Sequence, residues 1–358
     1  MLKARDAVRN LKEYHPPLGN REGLRLDFNE NTAGCSPRVL ERLRTLDADT
    51  LARYPVRENG ERVVAQHLCV HPEELLLTNG TDEAIHLVCE TYLETGHDAL
   101  IVVPTFAMFE IYAAATGAKV ISIPAGPEFR FPTDEVISRV TSRTRFIAIA
   151  NPNNPTGAFV SISDLLRIAG AAPDAALLVD EAYFEFSGET TAPRWRGLPN
   201  LFVSRTFSKA YGMAGLRIEV LMGNRDQIRM LQRASSPYNL NSVALASLAA
   251  ALEDRQYVAS YVQQVIEGRS ELQRELENHE VRYWPSRANF LLMHLGAHCK
   301  PFVQGMRARG ILVRDRSQDH GCGDCVRITL GIREHNQKLL ASLREVFAQL
   351  GLRETMAK

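Results

Sequence analysis

From Glu74 to Met222 the chain repeats one unit: a short apolar run, a break rich in Gly, Pro, Asn or Thr, and a stretch of helical spacing. Leu75-Leu76-Leu77 is broken by Asn79-Gly80-Thr81-Asp82, after which Ala84, Ile85, Val88 and Tyr92 recur at helical intervals. Ala99–Val103 runs into Pro104-Thr105-Phe106 and a helix to about Thr116. Lys119–Ile123, Arg145–Ala150, Ala175–Val179, Leu201–Val203 and Ile218–Met222 read as further strands, with a helix near Ile162–Ala169. Strands that alternate with helices predict an α/β fold whose mainly parallel sheet, of a seven-stranded type, is covered on both faces. In such sheets ligands bind at the carboxyl ends of the strands.

The flanks differ. Residues 1–34 are mostly irregular, with Pro16-Pro17, Gly19 and Gly23, and read as an arm packing on a smaller unit. Ser36-Pro37 suits the cap and first position of a helix to about Leu46. Beyond about residue 235 long helices appear: Val258, Tyr261, Val262, Val265, Leu272 and Leu276 form one apolar face. Strands at Val281–Trp284, Asn289–Met293, Ile311–Arg314 and Val326–Leu330, with helices at Pro301–Arg309 and Glu334–Leu350, complete a small α+β layer. The expected division is 1–34, 35–240 for the large domain and 241–358 for the small one.

Basic and acidic residues balance at 42 each, so no net field favours nucleic acid or an anionic membrane. The charged start, Leu2-Lys3-Ala4-Arg5-Asp6, lacks the apolar core of a signal peptide, and no apolar run reaches bilayer length. The expected setting is the cytoplasm, and the expected partners are small molecules or further copies of the chain. Cys35, Cys69, Cys89, Cys299, Cys322 and Cys325 are too sparse for a disulfide scaffold. His320-Gly321-Cys322-Gly323-Asp324-Cys325 has a metal-like look, but no second ligand pair follows at useful spacing, so no metal is expected.

Chemistry concentrates at the ends of the apolar runs. Leu201–Val203 leads into Ser204-Arg205-Thr206-Phe207-Ser208-Lys209 and, past Gly212 and Gly215, to Arg217. A lysine attacks a carbonyl only as the free amine, so Lys209 needs burial or a neighbouring cation to lower its pKa. Thr206, Ser208 and Arg217 offer hydroxyl and guanidinium donors to a phosphate. Backbone amides at Gly80-Thr81-Asp82 open a helix and suit an anion, although the Asp82 carboxylate itself repels one. Asp180, directly after an apolar strand, requires a partner, expected to be cationic. Phe106 lies where it can stack on a flat ring, and Asn151-Pro152-Asn153-Asn154-Pro155-Thr156-Gly157 forms a stiff polar loop.

In order and spacing, Gly80-Thr81-Asp82, Phe106, Asn154-Pro155-Thr156-Gly157, Asp180 with Tyr183, Ser208-Lys209 and Arg217 resemble the class I/II branch of the fold-type I aminotransferases. Asn29-Glu30-Asn31, Arg53-Tyr54-Pro55, Ala214-Gly215-Leu216-Arg217 and Cys325-Val326-Arg327-Ile328-Thr329-Leu330-Gly331 resemble, within it, the histidinol-phosphate aminotransferases. The resemblance covers nearly the whole chain and implies the pyridoxal 5'-phosphate-dependent transferase fold.

It implies that Lys209 forms the Schiff base with pyridoxal 5'-phosphate and that Asp180 pairs with the protonated ring nitrogen. Asn154 and Tyr183 would bond the ring oxygen, and Phe106 would cover one ring face. The phosphate would lie among Gly80, Thr81, Asp82, Thr206, Ser208, Arg217 and a Tyr54 from the partner subunit of a homodimer. Arg327, Arg314, Tyr14, Asn29 and Asn289 would bind substrate, and an amino donor would exchange with 2-oxoglutarate. Thr32, Phe106 and Glu219 stand where a proline, a tyrosine and a glycine are usual. Other enzymes of this type fit the same residues: a transaminase of aromatic or other amino acids, or a lyase like threonine-phosphate decarboxylase. A coenzyme-binding regulator would be expected to carry an added basic DNA-binding module, which this sequence does not show.

Overall fold

The computed structural model describes residues 2–11, 13–15, 19 and 21–352; Pro16-Pro17 lie outside them. The strands of the N-terminal arm and the middle of the chain are β1 (Leu24–Arg25), β2 (Leu75–Thr78), β3 (Asp98–Val103), β4 (Lys119–Pro124), β5 (Thr144–Ala150), β6 (Ala176–Asp180), β7 (Leu201–Thr206) and β8 (Glu219–Gly223). Seven of them, β2 to β8, form one sheet in the order β2-β8-β7-β6-β5-β3-β4. Only β8 runs antiparallel to its neighbours, so the sheet is mainly parallel, as the alternation of runs predicts.

Strand β6 shows why these residues make a central strand. It is buried along its whole length, with Leu177 and Val179 entering the core on one face and Ala176 and Leu178 the core on the other. Each buried leucine contributes about 1.5–3 kcal/mol, and the period of two shares the gain between both layers. Asp180 is the last residue of β6 rather than the first after it, because the β5 and β7 ladders continue to it. β7 runs three residues past Val203, where Arg205 and Thr206 pair with Val220 and Glu219.

The C-terminal part adds β9 (Tyr283–Trp284), β10 (Phe290–His294), β11 (Ile311–Leu312), β12 (Arg314–Asp315) and β13 (Cys325–Thr329). Ile311–Arg314 is therefore two strands, not one. β11 pairs in parallel with β1 of the N-terminal arm, while β12 joins the antiparallel sheet β12-β13-β10-β9. Tyr261, Val265, Leu272 and Leu276 of the helix Arg255–Asn278 pack with Phe290, Ile328, Leu343 and Phe347. Leu26, Tyr183 and Ala210 join the same core and tie the arm and the end of β6 to it.

The helix Arg57–Leu68 has no clear sequence signal, since Gly60 in its interior disfavours helix by about 1 kcal/mol. Packing overrides that preference: a Cβ on Gly60 would lie 2.5 Å from the Leu245 side chain of the helix Ser242–Glu253. That second helix sends Ala244, Leu248, Ala251 and Leu252 into the core with β2 and β6. All six cysteines are free. Among the described residues no helix is long and apolar enough to cross a membrane.

The arm lies directly on the lysine loop. Asn31 Nδ2 donates to the Ala210 carbonyl at 2.9 Å, and a Cβ on Gly212, at φ +69°, would meet the Gly34 carbonyl oxygen at 2.1 Å. Gly212→Ala therefore forces two backbones apart at a left-handed position. It is expected to lower stability by about 2 kcal/mol or more, read as a reduced denaturant midpoint with unchanged slope.

Candidate active site

At the carboxyl end of β6 the Asp180 side chain is buried, and its Oδ1 accepts from Ser204 Oγ and from the Ala182 amide, both at 3.1 Å. Ser204 is its register partner on β7, which is why the hydroxyl reaches it. The expected cationic partner is not a protein group: among the described residues no salt bridge joins Asp180 to a cation. Burial pushes its carboxyl up to about 6 despite those two donors, with Glu181 raising it further.

Lys209 follows β7 and is half-buried, its Nζ donating to the Phe28 carbonyl at 3.1 Å. Burial lowers its pKa to about 8. Arg327 and Arg217 act in the same sense, against Glu30 and Asp180. A free amine is thus available near neutral pH, as a nucleophile or proton carrier requires.

Tyr183 is buried edge-on to Phe290, and its hydroxyl accepts from Asn29 Nδ2 at 2.8 Å. Asn29 has φ +56° and is held twice by Thr329, whose Oγ1 accepts from its amide and donates to its Oδ1, both at 3.1 Å. Asn289 Nδ2 donates to the Asn29 carbonyl at 3.1 Å. Both asparagines sit under the site with these donors engaged on protein, while Asn289 Oδ1 is buried without a partner.

In the loop after β5, Asn151 exchanges two bonds with the Val160 backbone, and Asn153 Nδ2 donates to the Pro104 carbonyl and to Thr156 Oγ1. These two amides fasten the loop, leaving Asn154 turned to the site, where its Oδ1 accepts from Arg327 Nη1. Arg327 Nη2 donates to the Asp27 carbonyl at 2.6 Å. Arg314 on β12 is its register partner on β13. Burial, reinforced by Arg316 and Arg314, brings Arg327 down to about 9.

Arg327 Nε, Arg314 Nη1 and Arg316 Nε are buried without hydrogen-bond partners. Arg21 and Arg314 lie over the Phe28 ring at 4.1 and 5.3 Å from its centroid. Arg21 also makes two 3.1 Å bonds to Asp27. So dense a set of guanidiniums with unmet donors suits an anionic ligand. Tyr14 stands at the exposed side, near enough to Arg314 to interact with it electrostatically.

Gly80, Thr81, Asp82, Thr206, Ser208 and Arg217 lie at a second corner. The helix Thr81–Tyr92 begins at Gly80, φ +83°, with no side chain capping its amides. The Arg217 guanidinium rests on Gly80, where a Cβ would lie 2.4 Å from Nη2, and donates to Asp82 Oδ2 at 3.1 Å. That ion pair offsets the repulsion Asp82 would exert on an anion. The Ser208 amide donates to Thr206 Oγ1 at 3.1 Å, and the Thr81 hydroxyl donates to Glu219. Phe106, past β3, is partly buried and edge-on to Phe109 at 5.9 Å. Tyr54 stands apart on the surface, 76% exposed and stacked on Tyr238 at 4.4 Å.

Ser204, Arg21, Asp27 and Arg316 are site residues that the sequence reading does not single out. The register of β6 with β7 would have indicated Ser204; the others meet the site through contacts with no local signature.

The profile of the aminotransferase class I and II family matches residues 21–343. The chain belongs to that family. It is similar to histidinol-phosphate aminotransferase 1 of Bacillus cereus, 34% identical and covering 96% of this chain and 94% of the relative. It is similar also to the histidinol-phosphate aminotransferase of a Geobacillus species, 34% identical over 95% and 94%. In fold it is similar to the histidinol-phosphate aminotransferase of Sinorhizobium meliloti solved in complex with pyridoxal-5'-phosphate, with TM-score 0.88, 23% identity and 98% and 99% of the two chains covered.

The depressed amine gives a direct check. Reaction of the folded, coenzyme-free protein with a lysine-directed reagent should include one site whose rate rises with pH around the value of about 8 set for Lys209. Peptide mapping should place it at Lys209, and Lys209→Arg should remove it.

Proposed function

We propose that the chain holds pyridoxal 5'-phosphate on Lys209 and transfers an amino group from L-histidinol phosphate to 2-oxoglutarate, yielding imidazole acetol phosphate and L-glutamate. The observation that carries this reading is Asp180, a buried carboxylate held only by neutral donors a short way from a depressed amine. It fits the protonated ring nitrogen of the coenzyme, which supplies a sink for the electrons left when an α-proton departs. Asn154 and Tyr183 would hold the ring oxygen, and Phe106 one ring face. The amides of Thr81 and Asp82, reached past Gly80, would hold the phosphate with Thr206, Ser208, Arg217 and Tyr54 of the partner subunit.

Each group then has a task. Asp180 keeps the ring cationic because its own burial leaves it in need of a positive partner. Lys209 Nζ, once a donor amine had taken its place, would be the base that takes the donor's α-proton and carries it to the carbonyl carbon of the coenzyme. Arg327 and Arg314 bind the phosphate of the donor or the carboxylates of the acceptor through the nitrogens left unmet in the protein. The arm holds the amine and its loop in place, through the Phe28 carbonyl on Lys209 Nζ and Asn31 on the Ala210 carbonyl. The names of the similar proteins support histidinol phosphate as the donor.

The same reading takes the protein to be a cytoplasmic homodimer. Leu51, Tyr54, Val56 and Tyr238 are exposed apolar side chains on the face that carries Tyr54. It divides the chain into the arm, 1–34, a large coenzyme-binding domain from 35 and a small C-terminal domain. The boundary drawn from sequence is 240/241; the packing of Ala244, Leu248 and Ala251 with the core of the large sheet supports a seam after the helix Ser242–Glu253 instead.

Glutamate should form from histidinol phosphate and 2-oxoglutarate, with no carbon dioxide released. A yellow protein that forms no glutamate from this pair would remove the substrate assignment, and release of carbon dioxide would point to a lyase. Asp180→Ala is expected to cut kcat by about a thousandfold or more while coenzyme still binds. Arg327→Ala should instead raise KM for the anionic substrates by about tenfold to a hundredfold.

A further inference from the structure

Glu219 departs from the family pattern, and the structure seals it inside the phosphate corner. It is the first residue of β8, in register with Thr78 on β2 and Thr206 on β7, and has no exposed surface. The Thr81 hydroxyl donates to its Oε2, and its Oε1 is buried without a partner. Among the described residues no cation pairs with it: Arg217, two residues earlier, pairs with Asp82. The charged groups facing this region are Asp180 from β6, Asp82 from the helix Thr81–Tyr92 and Arg217 from the turn before β8. Tyr112 lies near Asp82 and Arg217 and responds to both, while Thr78 and Thr206 do not titrate.

We propose that Glu219 is a positioning residue for the phosphate end of the site, orienting Thr81, and that its proton sets how firmly a phosphate dianion is held there. This rests on the coenzyme reading above. A carboxylate enclosed without a cation is costly by several kcal/mol, so the neutral acid is the form the fold accepts. Burial, with Asp180 and Asp82 adding to it, raises its pKa well above the ordinary carboxyl value. Thr81 bonds Oε2 and the Thr206 hydroxyl, from the register partner on β7, also lies close enough to favour the charged form, but Oε1 has no hydrogen-bond partner, so the neutral acid's O–H there suits an acceptor oxygen. Ionisation reverses this: a buried negative charge beside Thr81 and Thr206 repels a dianion with little screening. Below the pKa of Glu219 the acid is neutral and the phosphate is held; as pH rises through it, the hold weakens.

The test compares coenzyme dissociation from the full-length protein, followed by absorbance after dialysis against pyridoxal 5'-phosphate, across the whole pH range in which the protein stays folded. Glu219→Gln and Glu219→Gly cannot ionise; the glycine is the residue usual in the family and provides a second variant should the glutamine fail to fold. At the acidic end Glu219→Gln should match the native protein within about twofold. Across the range the native protein should lose about tenfold or more affinity beyond either variant, since each tenfold corresponds to about 1.4 kcal/mol of added repulsion. Parallel pH profiles in proteins that all bind coenzyme would overturn the role of Glu219 and leave the coenzyme reading intact. A native protein that binds no coenzyme at any pH would overturn both.

Discussion

Asp180 is a buried carboxylate at the end of a central strand, supported among the described residues only by a hydroxyl and an amide. Such a group is stable as an anion only if a cation completes it, and otherwise drifts toward neutrality, as its rise to about 6 indicates. The surrounding fold is arranged to keep it so. β5 and β7 flank β6 in parallel, which brings the Asn154 loop and Lys209 to the same end of the sheet. The parallel order also requires the long crossover helices that bury both faces of the sheet and keep water from the strand interior.

The second constraint is of opposite sign. Arg327, Arg314 and Arg316 stand together on and beside β12 and β13, with three nitrogens buried and unbonded. Burial, with Arg316 and Arg314 adding to it, lowers Arg327 to about 9, and an anion opposes both effects. The short sheet therefore presents positive charge to the large sheet's buried acid and amine. The N-terminal arm closes the gap, with Asn29 bonded to Tyr183, Thr329 and Asn289 at once. Two halves of one site are thus held in fixed relation by a segment with almost no regular structure of its own.

Much of this is visible in sequence because it rests on local pattern. The buried strands are continuous apolar runs, the helix Arg255–Asn278 keeps its apolar stripe, and Ser36 caps its helix by accepting from the Arg38 amide. The residues at the strand ends follow from the same alternation. What escapes is set by contacts far apart in the chain. β1 and β11 are two residues each and exist only by pairing across nearly the whole chain. Gly60 signals against a helix until its neighbour Leu245 is known. Arg21 and Asp27 pair within an irregular arm that no period describes, and Glu219 is legible as a departure although its partner Thr81 lies 138 residues away.

The central claim is that one amine, set beside a buried acid, carries the coenzyme. The chain has seven lysines, so the site of attachment discriminates sharply. Borohydride reduction of the coenzyme-loaded protein, followed by digestion and mass spectrometry, should place the label on the peptide containing Lys209 and on no other. A label on any of the other six, or none at all, would contradict it.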